Sequence, residues 1–115
     1  YIPARLSALF MVAAAGLTGL SAKNAWKIFK RDRYNHASPN SAQTEAAMAG
    51  ALGVQLAGDA WYFGTLYKKK TIGDALRPVE CEDIRRANRL MYASAGLLLI
   101  VVMLLYCSFN ILTLL

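Results

Sequence analysis

The chain has 115 residues, of which 57% are hydrophobic and 17% are charged, and its mean hydropathy is +0.33. Soluble domains are about 45–50% apolar and about 25% charged. The composition therefore excludes disorder, collagen-like repeats and a charged soluble coiled coil, and it favours a membrane protein. The formal charge of +6, from 13 basic and 7 acidic residues, favours anionic lipid headgroups or phosphorylated ligands as partners, and we expect no nucleic acid.

The first predicted element is a transmembrane helix over residues 1–22, whose uncharged part covers residues 6–22. At 1.5 Å per residue this part is ~25 Å long, and Arg5 can turn towards the interface to let the apolar helix extend. Its many alanines and glycines are typical of helices that pack closely in membranes. A signal peptide is the alternative, but strongly basic sequence follows and no Met begins the chain.

The second predicted element is a cytoplasmic loop over residues 23–89, which contain 12 of the 13 basic residues and all 7 acidic ones. Basic residues crowd both ends of this loop. The positive-inside rule therefore places the loop in the cytoplasm and both chain ends on the far side of the membrane. We expect residues 23–33 to continue the first helix into the headgroup region.

Within the loop, a break around Pro39 and a helix over residues 42–56 are predicted next. Pro39 disfavours helical backbone at the residue before it, and Asn40, three residues before Gln43, resembles a capping box. Glu45 near the first turn complements the helix dipole. The exposed N–H groups of the first turn could also bind an anion, although capping alone is the simpler explanation.

Small residues in this helix recur four positions apart, a spacing that permits close contact with another helix. They are Ala46 with Gly50 and Ala49 with Gly53. Gly58-Asp59 is expected to end the helix. An aromatic cluster follows, formed by Trp61, Tyr62, Phe63 and Tyr67.

Interfacial aromatic residues are the default explanation for that cluster, and stacking on a planar ligand is the alternative. The lysines at 68–70 could attract anionic lipids or ligand phosphates. Residues 71–74 are predicted to form a turn.

The last predicted elements are a helix near residues 80–89 and a transmembrane helix over residues 90–115, into which it runs unbroken. The uncharged residues 90–115 would form a helix ~39 Å long, enough to cross a ~30 Å hydrocarbon core with some tilt. On the helix near residues 80–89, Glu82 and Asp83 are spaced to pair with Arg86. The fold class is therefore an all-α membrane protein, with two transmembrane helices joined by a largely helical cytoplasmic loop.

Several familiar site motifs are absent from the sequence. It has no phosphate-binding glycine loop and no H-E-x-x-H motif, and His36 is the only histidine, which makes a histidine-based zinc site improbable. Cys81 and Cys107 form neither a metal-type nor a redox pair, so no disulfide framework is implied. Because the sequence opens on Tyr1 rather than Met, we expect it to be part of a longer polypeptide.

Seven short motifs nevertheless occur in order along the chain. They are YIPARL (1–6), HASPNS (36–41), EAAMAGALGVQL (45–56), YFG (62–64), IGD (72–74), LRP (76–78) and DIRRANRLM (83–91). This series resembles the cobalamin-biosynthesis family CbiB/CobD, the adenosylcobinamide-phosphate synthases, and it would correspond to the C-terminal portion of a family member. Ala57-Gly58 stands where the family commonly has Gly-Gly.

The resemblance implies a multi-pass protein of the inner (cytoplasmic) membrane, to which this chain contributes part of a larger bundle. The implied reaction joins adenosylcobyric acid to (R)-1-amino-2-propanol or its O-phosphate by an amide bond, giving adenosylcobinamide or its phosphate. ATP and Mg²⁺ are the implied cofactors. The implied partners are the corrinoid, the amino alcohol, the bilayer, the rest of the chain, and either a second copy or other cobalamin-assembly enzymes.

Matching the family's motifs gives seven candidate site residues, with Glu45, Asp74 and Asp83 as catalytic and Asn40, Ser41, Arg77 and Arg86 as substrate-binding. Arg77 or Arg86 could hold a phosphate. Asp74 or Asp83 could bind Mg²⁺, and Glu45 could accept a proton from the attacking amine. Metal ligands stay unassigned, and each residue could instead be a cap, a turn residue or a surface ion pair.

Two other classes of protein are alternatives to the enzyme. One is a non-catalytic membrane sensor of the distantly related AmpE type, which we expect to lack the full series of polar motifs. The other is a plain scaffold, which would tolerate replacement of the polar residues in the loop, whereas an enzyme would not.

Overall fold

The computed structural model describes residues 1–36, 38 and 40–115. Within them the chain forms four helices, α1 (Ile2–Leu17), α2 (Ala22–Asp32), α3 (Ser41–Leu52) and α4 (Asp83–Leu114). Four short strands lie between α3 and α4, namely β1 (Leu56–Ala57), β2 (Ala60–Tyr62), β3 (Thr65–Tyr67) and β4 (Thr71–Ile72). The mostly helical fold is confirmed, whereas the strands depart from an all-α fold because strands of two or three residues give no periodic signal.

The strands form two separate antiparallel pairs. β1 pairs with β4, which places Leu56 opposite the fully buried Ile72. β2 pairs with β3, which places Trp61 opposite Leu66. The β2–β3 hairpin is therefore nested between the two strands of the first pair, and the residues predicted as a turn at 71–74 begin with β4.

The chain reverses direction between α1 and α2, so the prediction that residues 23–33 continue the first helix is wrong. The hydroxyl of Thr18 donates to the carbonyls of Ala14 and Ala15 at 3.2 Å, which closes the last turn of α1. Ser21 then caps α2, because its Oγ accepts a hydrogen bond from the N–H of Asn24 at 3.1 Å.

The two helices run antiparallel along their length. The hydroxyls of Tyr1, before α1, and Tyr34, after α2, lie 2.9 Å apart. Ala8 of α1 packs with Phe29 of α2 and Ala47 of α3 in one buried cluster. The apolar side of α1 is thus partly covered by α2 and α3.

The second predicted span is not confirmed by this arrangement. Within the described residues, only α4 is long and apolar enough to cross a membrane, and α1 is a shorter apolar helix of 16 residues.

Helix α3 lies at the centre of the body, and its small residues permit close packing as predicted. Ala46 and Ala49 are fully buried. A Cβ atom on Gly50 would lie 2.6 Å from the Asn24 carbonyl oxygen and 2.7 Å from the Ala25 Cα. The Asn24 amide also donates to the Gly50 carbonyl at 2.7 Å, so α2 and α3 meet backbone to backbone.

The ends of α3 differ from the prediction. The helix stops at Leu52 rather than near residue 56, because Gly53 takes the left-handed conformation with φ +73. Gly58-Asp59 therefore does not end it. Asn40 occupies the cap position without a side-chain cap hydrogen bond, and Glu45 lies beyond the first turn. The predicted break at Pro39 falls outside the described residues.

Helix α4 begins at Asp83, later than the predicted residue 80, and runs unbroken to Leu114 as expected. Only its first part packs on the body, where Leu90 and Ser94 are buried. The rest projects outwards, which makes the molecule 65 Å long and only 28 × 23 Å across. The exposed apolar surface of this part of α4 is suited to contact with the hydrocarbon core of a bilayer.

We expect Gly50→Ala to lower the free energy of unfolding by about 1–3 kcal/mol, because the added methyl group would overlap the backbone of α2. Thermal unfolding of the complete protein in detergent measures this. The matched control is Gly16→Ala in α1, where a Cβ would meet only the Ala22 Cβ at 3.7 Å, an ordinary contact. Equal melting temperatures for the two variants would contradict the close α2–α3 contact.

Candidate functional site

A cavity of about 690 Å³ lies between the end of α2, the side of α3 and the β2–β3 hairpin. Its volume falls in the usual range for small-molecule sites. The polar residues lining it are Tyr34, Asn35, His36, Glu45, Asp59, Tyr62, Lys69 and Lys70. Cationic and anionic side chains thus share one space that is open to water.

The hairpin wall of the cavity is held by contacts between its aromatic and basic residues. Tyr62 and Tyr67 pack edge to face with ring centroids 5.5 Å apart. The Lys69 ammonium lies 4.6 Å from the Tyr62 ring centroid and donates to its hydroxyl at 3.1 Å. The Lys69 N–H also donates to Asp59 Oδ1 at 3.0 Å, which fixes Lys69 at the edge of the cavity.

Ala57, at the entrance to the hairpin, has φ +60. This left-handed conformation costs an alanine free energy that a glycine would not lose. The family that the sequence motifs resemble commonly has Gly-Gly at these two positions, and Gly-Gly therefore suits the turn better than Ala57-Gly58.

Asp32 is a buried carboxylate next to the cavity, and it is 4% exposed. Its Oδ2 accepts the Gly73 N–H at 2.7 Å, and its Oδ1 accepts the Asn35 amide at 3.2 Å. The guanidinium of Arg31 donates to both oxygens, at 2.9 Å from Nε and 2.8 Å from Nη2. Since the Asn35 amide also donates to the Thr71 carbonyl at 3.2 Å, Asp32 joins the cavity wall to β4.

The same guanidinium continues to Asp74. Nη1 of Arg31 donates to Asp74 Oδ2 at 3.1 Å, and Nη2 lies 2.9 Å from Asp74 Oδ1. Hydrogen bonds from Arg31 lower the pKa of both carboxyls, and the Gly73 N–H lowers that of Asp32 further. Arg31 therefore holds two ionised carboxylates side by side.

Gly73 lets the chain pass close behind Asp32. It has φ +85, and a Cβ there would lie 2.5 Å from the Val54 carbonyl oxygen and 2.9 Å from the Ala49 Cβ. No other residue fits this position without displacing the backbone. Glycine at 73 thus places Asp74 beside Arg31.

A second ionic cluster lies where α4 begins. The carboxylate of Asp83, 7% exposed, pairs with Arg77 and accepts from Arg86 Nη1 at 2.9 Å and from the Glu80 N–H at 2.8 Å. Arg77 also donates from Nε to the Leu52 carbonyl at 3.1 Å, which ties α4 to the end of α3. The hydrogen bonds from Arg77 and then the Glu80 N–H hold the pKa of Asp83 far below its usual range.

One predicted ion pair forms and one does not. Arg86 pairs with Asp83 at the i, i+3 spacing, and its other partner is Glu80 at 3.3 Å. No Glu82–Arg86 ion pair forms among the described side chains, because Glu82 stands before the first turn of α4 as its cap residue.

The structure distributes the seven candidate site residues over four places. Glu45 lines the cavity, Asp74 belongs to the Arg31–Asp32 cluster, and the remaining charged candidates, Arg77, Asp83 and Arg86, share the cluster at α4. Asn40 and Ser41 lie at the start of α3. Their roles in binding and catalysis stay predictions.

Sequence reasoning missed Asp32, Arg31 and Asn35. One signal was available for Asp32, because an acidic residue at the last position of a helix opposes the helix dipole. Such a residue needs a compensating partner, and this one finds Arg31 and Gly73. Nothing in the sequence indicated that Asn35 would bridge this carboxylate to β4.

Comparison with known proteins extends these observations. The model of the CobD/Cbib protein family matches residues 1–91. Cobalamin biosynthesis protein CobD of Clostridium perfringens is 46% identical over 111 residues, covering 96% of this chain and 35% of the relative. Cobalamin biosynthesis protein CbiB of Salmonella typhimurium is 48% identical over 110 residues, covering 96% and 34%.

A third relative, cobalamin biosynthesis protein CobD of Geobacter metallireducens, is 54% identical over 99 residues, covering 86% of this chain and 31% of the relative. This chain thus spans about a third of the length of these curated relatives. No solved structure matches it.

Over the described residues, the fold and the site define a mostly helical protein with one long apolar helix and a charged body that carries an open cavity. With a family model that matches residues 1–91, the chain belongs to the CobD/Cbib protein family. The resemblance seen in its motifs is confirmed.

The lowered pKa of Asp83 predicts a loss of stability in acid. The ionised carboxylate stabilises the fold fully above the ordinary pKa of an aspartate, about 3.9, and this contribution disappears as the pH falls towards the lower folded-state pKa. Asp83→Asn should therefore destabilise the protein most near neutral pH and progressively less below pH ~4.

Urea or thermal unfolding of the complete protein at several pH values measures the difference between wild type and variant. Glu82→Gln is the control, since Glu82 is an exposed neighbour that makes no ion pair among the described residues. A destabilisation by Asp83→Asn that is constant from neutral pH down to pH ~3 would contradict an ionised, paired Asp83.

Proposed function

We propose that the chain is part of a membrane enzyme of cobalamin biosynthesis. The proposed reaction is ATP-dependent formation of an amide bond between adenosylcobyric acid and (R)-1-amino-2-propanol or its O-phosphate. The observation that carries the proposal is the family match over residues 1–91, because these residues include the cavity and both ionic clusters. The relatives named for cobalamin biosynthesis support the pathway.

The cavity is the proposed place for an anionic ligand. Lys69 and Lys70 line it, and it opens to water. A phosphate placed in the lipid core would lose its hydration without replacement, so the phosphates of ATP or of the amino alcohol need such an aqueous, cationic site.

Glu45 is the proposed proton acceptor. It projects from α3 into the same cavity as the two lysines. An amine that attacks a carbonyl group must lose a proton, and a carboxylate within hydrogen-bond reach can accept it. The lysines would orient the anionic partner while Glu45 receives that proton.

Asp74 suits a secondary role as a ligand of Mg²⁺ that arrives with ATP. The described residues contain no group of three side chains that could hold a metal ion by themselves. Mg²⁺ commonly takes one or two carboxylates together with substrate phosphates. The Asp74 side chain is 38% exposed, so one carboxylate remains within reach of such a metal although Arg31 pairs with it.

Arg77 and Arg86 are proposed to support the site through the fold. Both donate to Asp83, and Arg77 also donates to the Leu52 carbonyl. An anionic ligand would have to compete with that carboxylate for either guanidinium. Their proposed contribution is therefore to fix the segment that carries Asp74 between α3 and α4.

We also propose that α4 crosses the inner membrane and that residues 23–89 lie in the cytoplasm, with the remainder of the protein completing a multi-pass bundle. The apolar, exposed surface of α4 supports the crossing. The contact between Tyr1 and Tyr34 would then place the start of α1 on the cytoplasmic side too.

We expect Glu45→Gln to lower the kcat of the complete enzyme by about 100-fold or more, the usual contribution of a general base. The measurement is ATP-dependent formation of adenosylcobinamide or its phosphate by purified protein. Glu82→Gln removes a carboxylate outside the cavity and should keep the wild-type rate. If wild-type protein forms no product from adenosylcobyric acid, the amino alcohol or its phosphate, and ATP, the proposed reaction is refuted. Equal rates for both variants would refute only the role of Glu45.

Cysteine labelling in sealed cells tests the topology. In a complete protein whose other cysteines are replaced, Cys81 should resist an impermeant external reagent, because it lies in the proposed cytoplasmic segment. A cysteine placed at the exposed Ile2 should behave in the same way. External labelling of Ile2→Cys with protection of Cys81 would instead establish α1 as a second span, and external labelling of Cys81 would reverse the proposed orientation.

A further inference from the structure

The β2–β3 hairpin has two unlike faces. Side chains alternate along a strand, and Tyr62 lines the cavity, so Trp61 lies on the opposite side with its cross-strand neighbour Leu66. Phe63 follows at the turn and is fully exposed, while Trp61 is 70% exposed. We call Trp61, Phe63 and Leu66 the outer face of the hairpin.

The outer face has no covering partner among the described residues. Within these residues, β2 contacts only β3 extensively, and β3 contacts only β2 extensively. A two-stranded hairpin is marginally stable in water by itself. An exposed antiparallel pair normally presents polar side chains to solvent, whereas here a Trp faces a Leu across the strands. The apolar outer face is therefore suited to contact with another apolar surface that would remove it from water.

The charge beside the outer face indicates which surface this is. Lys68 follows β3 directly and is exposed, whereas Lys69 and Lys70, which are exposed too, line the cavity. Lysine is depleted in protein–protein interfaces. A lysine near an anionic membrane is attracted to the headgroups, and tryptophan is enriched at the level of the lipid headgroups.

We propose that the outer face of the hairpin docks on the anionic headgroup layer of the membrane that α4 crosses, with Trp61 and Phe63 entering the interface and Lys68 contacting lipid phosphates. The face that carries Tyr62 stays on the cavity. The hairpin would thus lie between the aqueous cavity and the lipid surface. This inference depends on the membrane crossing of α4 and is independent of the proposed reaction.

Fluorescence quenching by brominated lipid tests the docking. The complete protein, with Trp61 as its only tryptophan, is reconstituted in nanodiscs of brominated phosphatidylcholine with or without phosphatidylglycerol. Trp61 should lose most of its fluorescence in the anionic brominated discs relative to unbrominated ones. Lys68→Gln, or high salt, should reverse part of that loss, because both weaken attraction to the headgroups.

Two controls make the result decisive. Lys23→Gln removes the same charge from the exposed face of α2 and should leave the quenching unchanged. A tryptophan placed at Leu99 of α4, in a Trp61→Phe background, should be quenched whether or not the lipid is anionic.

Two outcomes would overturn the docking. Trp61 that is quenched by aqueous acrylamide but not by brominated lipid remains in water. Trp61 with blue-shifted emission and no quenching by either agent is packed against protein instead. Failure of the Leu99→Trp control to be quenched would overturn the membrane crossing of α4 and the docking together.

Discussion

The buried carboxylate of Asp32 is the interaction on which the body of this protein depends. A buried, unpaired charge costs several kcal/mol, and Asp32 avoids this cost by accepting hydrogen bonds from Arg31, Asn35 and the Gly73 N–H. These donors come from the end of α2, from the cavity wall and from the segment after β4. One carboxylate therefore fixes three parts of the chain whose positions define the cavity.

The contact between α2 and α3 makes that arrangement possible. Because Gly50 has no side chain, the two helices approach until the Asn24 amide reaches the Gly50 carbonyl at 2.7 Å. Only at this distance does the end of α2 bring Asp32 under Gly73. The cavity and the Arg31–Asp32–Asp74 cluster are thus consequences of helix packing, since neither lies on a single element.

The family match and the physical division of the molecule correspond closely. The matching family model covers residues 1–91, which include the packed body and the start of α4. The packing on the body continues to Ser94, and from Leu98 onwards most side chains of α4 are exposed, among them leucines, valines and isoleucines. The Asp83 cluster lies at the start of α4, where Arg77 links this helix to the end of α3. This charged cluster therefore holds the packed start of α4 against the end of α3.

The sequence by itself determined the mostly helical fold, the unbroken apolar helix, the tight α3 packing at Ala46, Ala49 and Gly50, and the family. These features follow from local spacing and composition, which a single segment carries. It did not determine that α1 folds back along α2, because the turn at Thr18 to Ser21 interrupts a stretch that is otherwise helical in pattern.

Only the tertiary structure decided which charges meet. Asp32 and Gly73 are far apart in the chain, and Arg31 could have faced solvent like the other basic residues of α2. The paired strands, with two or three residues each, were equally invisible, since their stability comes from partners across the hairpin rather than from their own periodicity. Burial and pairing energies that depend on distant segments are absent from any local pattern, and these energies placed the cavity.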